Sequence, residues 1–137
     1  MPILNVSVSG QPDNALSSSI AWMLSEATKV HLHKDPTVTV VIVNYIAPDS
    51  WIVDGKSLAS QGLKSFWLDI KITAGTNTKS EMANYIAAVF EALRSSLGAL
   101  HDTSYIVVHE VAAAAWGFAG ATQEYRFIAG KMRQQSL

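Results

Sequence analysis

The feature that most constrains the fold of this chain is an internal duplication. Matching residues recur at an offset of 65 positions: Glu26 with Glu91, Lys29 with Arg94, Ala47 with Ala112, Trp51 with Trp116, and Gly55 with Gly120. A repeat of this kind is one supersecondary unit that buries its apolar face only against a second copy. We therefore predict two strand–helix–strand–hairpin units, residues 1–62 and 63–137, within one compact domain.

Each unit opens with a strand followed by a long helix. Leu4, Val6 and Val8 alternate with polar residues, the pattern of a half-buried strand, and the second unit repeats this alternation at an offset of 64 in residues 66–73. Helices are predicted from Asp13 or Asn14 to about residue 33, and from about Lys79 to Leu97. The residues expected to face inward are Leu16, Ile20, Met23, Leu24, Ala27 and Val30 in the first helix, and Met82, Tyr85, Ile86, Val89, Phe90 and Leu93 in the second.

A β-branched second strand and a short hairpin complete each unit. The second strands are predicted over residues 37–46 and Tyr105–Val111, and the hairpins near Trp51 and Trp116. Two right-handed βαβ units of this size predict an α+β fold, with a four-stranded sheet and both helices on one face. The other face carries apolar side chains, so we expect another copy of the chain to cover it in a closed oligomer. In that oligomer the hairpins would add edge strands to a neighbouring subunit.

Composition excludes several functional classes. The formal net charge of −1 argues against a nucleic-acid partner. The chain has no cysteine, which excludes disulfides, thiolate metal sites and a cysteine nucleophile. Apolar runs such as residues 40–43 are far shorter than a bilayer span, so no membrane partner is expected. The first residues lack a signal-type stretch, and we expect a cytoplasmic protein.

Pro2 is the residue with the clearest chemical potential. A small second residue favours removal of the initiator Met1, which would leave Pro2 with a free secondary amine at the start of a strand. An α-amino group titrates near ~8, and burial or a neighbouring cation lowers its pKa. Such a base is suited to moving a proton on a carbon beside a carbonyl. The alternative is that proline merely begins an edge strand, where it costs no ladder hydrogen bond.

These residues together resemble the tautomerase superfamily, whose type enzyme is 4-oxalocrotonate tautomerase. The resemblance rests on Pro2 opening a strand, on the duplication, and on the Trp116-Gly117-Phe118-Ala119-Gly120 hairpin, and it covers the chain to about Phe127. The type enzyme is a single βαβ unit, whereas this chain is similar to the fused, two-unit members. The resemblance implies a homotrimer of fused chains that needs no cofactor or metal. It also implies one site per chain, because the second unit places Phe66 where the first has Pro2.

The chain departs from the family at its arginines. The position after the first strand holds Gln11 in one unit and Thr76 in the other, and the second family arginine falls on Val40 or Tyr105. An aspartate of the fused decarboxylases has no counterpart near Val38. These departures argue against the dicarboxylate and haloacrylate substrates of the family.

Six other residues are candidates for binding a small carboxylate substrate. Each has a structural alternative: helix capping for Thr76 and Asn77, strand or core packing for Tyr105, His109 and Trp116, and an exposed ion pair for Arg126. A helix start favours an anion, and a histidine can exchange a proton near neutrality. Glu124 is weakly similar to a residue that orients water in the cis-dehalogenase of the family.

The sequence therefore favours a cofactor-independent tautomerase acting on a small 2-oxo acid or its enol, with Pro2 as general base and acid. One alternative is a hydratase- or decarboxylase-type member of the same superfamily. The other is a trimeric binding module that kept the fold without the chemistry.

Overall fold

A four-stranded mixed sheet forms the centre of the protein, in a computed structural model that describes residues 1–136. In chain order the strands are β1 (Ile3–Ser9), β2 (Val40–Ile46), β3 (Ile52–Val53), β4 (Lys56–Ser57), β5 (Phe66–Thr73), β6 (Tyr105–Val111), β7 (Gly117–Phe118) and β8 (Ala121–Thr122). The helices are α1 (Asn14–Leu32), α2 (Leu58–Gln61), α3 (Lys79–Leu97) and α4 (Gln123–Ser136). The sheet order is β2-β1-β5-β6, with the central pair antiparallel and each outer pair parallel. The pairs β3–β4 and β7–β8 form separate short hairpins.

The predicted α+β fold with a duplicated βαβ unit is confirmed. Helices α1 and α3, strands β2 and β6, and the two hairpins are each displaced by 65 residues, and the buried positions of β1 and β5 by 64. Both long helices pack on the same face of the sheet. The boundary between residues 62 and 63 stays a prediction, and Leu137, which we assigned to the second unit, lies outside the described residues.

The core lies between the sheet and the two long helices. Residues buried there repeat every four positions: Ile20, Leu24, Thr28 and Leu32 in α1, and Tyr85, Val89, Leu93 and Leu97 in α3. The Tyr85 hydroxyl lies 2.9 Å from Thr28 Oγ1, which itself donates to the Leu24 carbonyl. Burial raises the pKa of Tyr85 to about 12. This hydrogen bond ties the two units together through their helices.

Two inward-facing predictions were wrong. Val30 is 57% exposed and Ile86 is 38% exposed. Val30 lies midway between Thr28 and Leu32, which face the core four residues apart, so at 100° per residue it points to solvent. Ile86 lies one position beyond Tyr85 and is rotated away from the same face.

Two predicted segments also differ in the structure. The strand expected over residues 37–46 begins only at Val40, because Asp35 Oδ1 accepts hydrogen bonds from the backbone N–H and the hydroxyl of Thr37 and closes a turn of 3-10 helix at Pro36–Val38. The expected C-terminal tail forms helix α4. No helix among the described residues is long and apolar enough to cross a membrane.

The sheet face opposite the helices is exposed and partly apolar. Val40, Ile42, Trp67, Tyr105 and Val107 all lie on it with large exposed surfaces. Exposed apolar patches of this kind are typical of interaction surfaces, and the covering of this face by another copy of the chain stays a prediction.

Candidate active site

Pro2 lies buried at the start of β1, against the second unit's hairpin. Its carbonyl accepts a hydrogen bond of 3.2 Å from the Val40 backbone N–H, which opens the β1–β2 ladder. Proline costs the ladder no donor at this position. Pro2 lines a cavity of about 340 Å³ with Trp116, Phe118 and Gln123. The fold therefore brings two predicted site residues, Pro2 and Trp116, together.

A larger cavity of about 620 Å³ adjoins the first. Met1, Val38 and Gln123 line both cavities. Arg126 and Thr76, two further predicted site residues, line the larger one, as does Glu124. Four of the predicted site residues therefore line two neighbouring cavities, and Met1 lines both of these cavities.

Positive charge surrounds the amino group of Met1. Burial lowers the pKa of this amine, and the nearby cations Lys34 and Arg126 lower it further, against a smaller opposing effect of Asp35. Burial also lowers the pKa of Lys34 itself. The surroundings of this terminus therefore favour a neutral amine and attract an anion.

Lys34 is the cation that the sequence analysis missed. It follows His33, the residue that caps the C-terminal end of α1 and has a left-handed backbone conformation with φ of 58°. Lys34 Nζ donates to Thr76 Oγ1 at 2.8 Å, and the Thr76 hydroxyl donates in turn to the Thr73 carbonyl at 2.6 Å. The only proton of the Thr76 hydroxyl is thus engaged, so Thr76 holds Lys34 in place.

Arg126 is held over the same region by two contacts. Its guanidinium donates to Gln123 Oε1 at 2.9 Å, and its central carbon lies 4.1 Å from the centroid of the Phe118 ring. Among the described residues no carboxylate lies within ion-pair distance of Arg126, in contrast to the exposed ion pair considered from the sequence. Its charge is therefore free for a ligand in the larger cavity.

Gln123 was also missed, although its placement is fixed by the fold. Its backbone N–H donates to the Trp116 carbonyl at 2.8 Å, directly after the hairpin. The residue is only 8% exposed, and its Nε2 atom has no hydrogen-bond partner. A buried amide donor without a partner is uncommon in folded proteins.

The remaining three predicted site residues lie away from these cavities. Asn77 donates from Nδ2 to the Leu32 carbonyl at 3.0 Å, and so joins the start of α3 to the end of α1. Its Oδ1 atom is buried without a partner.

His109 and Tyr105 lie on the exposed sheet face. His109 Nε2 lies 2.8 Å from Asp69 Oδ1. His109 pairs with Lys71, which pairs with Ile3, so two strand spacings of about 5 Å place it roughly 10 Å from the start of β1. Tyr105 lies at the other end of β6, beside Trp67. Within one chain neither residue reaches Pro2, and their roles stay predictions.

Metal chemistry has no apparent ligand set here. Among residues 1–136, no group of three or more histidine, aspartate or glutamate side chains is arranged to hold a metal ion. The two cavities bring together the first amine of the chain, an aromatic wall, the Arg126 cation, the Gln123 amide and the carboxylates of Asp35 and Glu124. Lys34 lies next to the larger cavity through its hydrogen bond to Thr76. Such a set suits the binding of a small anion and the movement of a proton.

The second unit of the chain matches a known protein family. The model of the Tautomerase family, described as tautomerase enzyme, matches residues 67–124. No curated protein matches the chain.

Several solved structures share the fold. A fused 4-OT described as a wild-type symmetric trimer is 22% identical, with a TM-score of 0.77 over 89% of this chain and 96% of that one. Pt0534 inactivated by 2-oxo-3-pentynoate is 12% identical, with a TM-score of 0.79 over 90% and 98%. A macrophage migration inhibitory factor-like protein from Entamoeba histolytica is 18% identical, with a TM-score of 0.73 over 88% and 97%.

These matches confirm the resemblance noted in the sequence. The family model falls on the unit that contributes Trp116 and Gln123, and the structural matches extend over nearly the whole of the fused chains. The chain therefore has the fold of the fused, two-unit 4-OT structures, and residues 67–124, in its second unit, match the Tautomerase family model.

Proposed function

We propose that this protein is a cofactor-independent tautomerase of small 2-oxo acids or their enols, with the amine of Pro2 as general base and acid. Removal of Met1 would leave that amine one residue further along the chain, at the wall of the smaller cavity. The single observation that carries the proposal is that Pro2 lies buried in the wall of a cavity with Trp116, next to a larger cavity that Arg126 lines.

The proton transfer follows from this arrangement. A neutral Pro2 nitrogen accepts a proton from C3 of the 2-oxo acid, and the C3–H electron pair forms the C2=C3 bond. Negative charge moves onto the 2-oxo oxygen, which then takes up a proton from the Pro2 ammonium or from water to give the enol; where water supplies it, the ammonium returns its proton to water. The reverse sequence returns the proton from the Pro2 ammonium to C3. Burial and neighbouring cations lower the pKa of an amine, which favours the neutral form that this step needs.

The cations give the substrate its orientation. A carboxylate in the larger cavity would meet the charges of Arg126 and Lys34, and each charge-assisted hydrogen bond contributes about 1.5–3 kcal/mol. Trp116 supplies an apolar wall that excludes water from the smaller cavity. Lys34 and Arg126 thus take the part of the family's missing arginines.

The test is turnover of the mature protein. Mass spectrometry first establishes that Met1 is absent, and ultraviolet absorbance then follows the tautomerisation of phenylpyruvate. We expect Pro2→Ala to lower kcat/KM by about 100-fold or more, since a positioned base contributes 10²–10⁴-fold. Pro12→Ala, at an exposed proline outside both cavities, is the matched control.

A second measurement labels the amine. The alkyne of 2-oxo-3-pentynoate accepts a nucleophile, so a neutral amine would add to it and form an N–C bond without a leaving group. We expect the intact mass of the reagent on the N-terminal peptide of the mature protein. Equal turnover by the wild type and Pro2→Ala, with no label, would favour the binding module instead, whereas net hydration or decarboxylation would favour the alternative in which Glu124 activates water.

We also propose a homotrimer joined through the exposed sheet face. Trp67, Tyr105 and Val107 would be covered there, and a fused 4-OT of the same fold is described as a symmetric trimer. Sedimentation equilibrium measures the assembly mass, and a monomer at micromolar concentration would contradict the proposal. The cytoplasmic location stays a prediction from the sequence.

A further inference from the structure

Gln123 lines both cavities of the candidate site. We propose that its Nε2 group donates a hydrogen bond to the 2-oxo oxygen of the substrate and makes the site selective for acids that carry an oxygen at C2. This inference rests on the proposed tautomerase function and adds to it the group that would stabilise the developing enolate.

The orientation of the Gln123 amide follows from its partner. A guanidinium has only donors, so the atom that faces Arg126 NH1 at 2.9 Å must be the amide oxygen. The amide nitrogen therefore points the other way. The backbone hydrogen bond to Trp116 fixes the start of the side chain, and the 8% exposure leaves little room for another rotamer.

The unpartnered Nε2 atom of Gln123 lowers the stability of the protein, and the fold does not require a polar side chain at this position. A buried donor without an acceptor destabilises a protein by about 1–3 kcal/mol. The duplication shows what the fold accepts at this position, because Leu58 stands 65 residues earlier, is fully buried, and makes the same backbone hydrogen bond to Trp51. An apolar side chain thus satisfies the fold here, whereas the polar one in the second unit has a buried donor without an acceptor among the described residues.

The chemistry of the neighbouring groups indicates which oxygen Gln123 binds. Lys34 and Arg126 carry full charges and suit the carboxylate. A neutral amide suits the adjacent carbonyl oxygen, which is uncharged in the keto acid and becomes negative as Pro2 removes the C3 proton. A donor fixed in advance at such an oxygen stabilises the transition state more than the ground state. The hydrogen bond transfers no proton, so the balance of the proposed step is unchanged.

The direct test observes the amide itself. The side-chain NH2 signals of Gln123, identified by their loss in Gln123→Leu, are followed by ¹⁵N NMR during titration with phenylpyruvate and, separately, with 3-phenylpropionate, which has no 2-oxo group. We expect phenylpyruvate to shift the Gln123 signals and 3-phenylpropionate to leave them within line width. The side-chain amide of Asn77, outside both cavities, is the internal control. Equal shifts with both acids, or none with either, would overturn the proposal.

Kinetics provide the second arm. Gln123→Leu copies the residue that the other unit buries at this position, so it should fold, and we expect kcat to fall about 100-fold, as for loss of one oxyanion donor. Gln123→Glu keeps the acceptor for Arg126 but loses the donor, and we expect a similar loss of kcat with less change in KM. Gln61→Leu is the matched control.

These results separate the two proposals. Turnover that needs Pro2 but is unchanged in Gln123→Leu overturns the role of Gln123 and leaves the tautomerase proposal standing. Absence of Pro2-dependent turnover sinks the tautomerase proposal, while the NMR titration still decides whether Gln123 recognises a 2-oxo group.

Discussion

The two ends of the central sheet have the same backbone and different chemistry. At one end Pro2 lies beside the hairpin of the second unit, and at the other Phe66 lies beside the hairpin of the first. The backbone N–H of Leu58 donates to the Trp51 carbonyl at 2.9 Å, and that of Gln123 to the Trp116 carbonyl at 2.8 Å. Both hairpins also turn through a left-handed residue followed by a glycine.

The side chains at equivalent positions show what the fold needs and what the site adds. The residues that build the candidate site at the Pro2 end have uncharged counterparts at the Phe66 end. Pro2 corresponds to Phe66, Lys34 to Ala99, Gln123 to Leu58, and Arg126 to Gln61. A cavity of about 510 Å³ remains at the Phe66 end, lined by Trp51, Phe66 and Tyr105 among others. The hairpin and its tryptophan therefore belong to the fold, whereas the amine, the two cations and the amide distinguish one end.

Among substitutions that exchange residues between the two ends, replacing Arg126 by glutamine, the residue at the equivalent position 61, is expected to have the largest effect on activity. Arg126→Gln gives the Pro2 end the residue found at the Phe66 end and removes a charge-assisted hydrogen bond to the substrate carboxylate. We expect kcat/KM for phenylpyruvate to fall 10–100-fold, mostly through KM. Gln61→Ala, the equivalent position at the other end, should leave both constants unchanged, and a similar loss in both variants would contradict the comparison.

Lys34→Ala introduces the residue found at the equivalent position, Ala99, and is expected to shift the pH dependence of kcat/KM. The Lys34 cation lowers the pKa of the Met1 amine, and after removal of Met1 we expect it to act in the same direction on the Pro2 amine, so that its loss raises that pKa. Only the neutral amine accepts a proton, so activity falls as the pH drops below its pKa, and the acidic limb of kcat/KM should move to higher pH. Lys29→Ala, an exposed position on α1, is the control. A limb that stays in place, or moves to lower pH, would show that Lys34 does not act on the catalytic amine.

Substitution of the two equivalent tryptophans, Trp51 and Trp116, distinguishes a role in packing from a role in catalysis. Trp116→Leu and Trp51→Leu remove similar half-buried side chains and should lower the melting temperature by similar amounts. Only Trp116→Leu should lower kcat/KM, by roughly 10-fold, because it opens the smaller cavity to water. Thermal unfolding and phenylpyruvate turnover measure the two effects on the same samples, and equal losses of activity would remove the distinction between the two ends.

The smallest expected effect concerns the starts of the two long helices. In α3 the Thr78 hydroxyl accepts from the Glu81 backbone N–H and the Glu81 carboxylate accepts from the Thr78 N–H, whereas α1 has only the Asp13 side chain accepting from Leu16. We expect Thr78→Ala to lower the free energy of unfolding by about 1 kcal/mol, and Asp13→Ala by no more than that. Urea denaturation compares the two, and a larger loss for Asp13→Ala would contradict the comparison.

The pH dependence of that cap has a defined sign. The hydrogen bond from the Thr78 backbone is the main cause of the lowered pKa of Glu81 in the folded state. The stability it contributes is therefore present above the ordinary glutamate pKa and lost as the pH falls through the lowered value. The difference in stability between wild type and Glu81→Gln should accordingly shrink on acidification.

The sequence was sufficient for the repeated elements because their patterns are local. Strand alternation and apolar residues at helical spacing located β1, β5, α1 and α3 to within a residue or two. The beginning of β2 was misplaced because the Asp35 cap competes with strand propensity. Val30 was misplaced because an apolar residue near a helix end need not lie on its buried face.

The site was predicted less completely because it depends on contacts between the units. Pro2 and Trp116 were found as parts of a pattern, but Lys34 and Gln123 belonged to no motif. A residue-by-residue comparison at the offset of 65 would have marked both, since Ala99 and Leu58 stand opposite them. The alternation of side chains along a strand places Tyr105 and His109 on the same face of β6. It does not show which end of that strand lies near Pro2.

The covalent link between the units has a consequence for the candidate site. Pro2 and Lys34 come from the first unit and Gln123 and Arg126 from the second, joined through the turn after α2 at Gly62. Tethering of this kind sets an effective concentration in the millimolar range for flexible connections. The pairing of the two halves is therefore independent of dilution, and a chain cut at this turn would need its fragments at high concentration to rebuild the same surroundings for the amine.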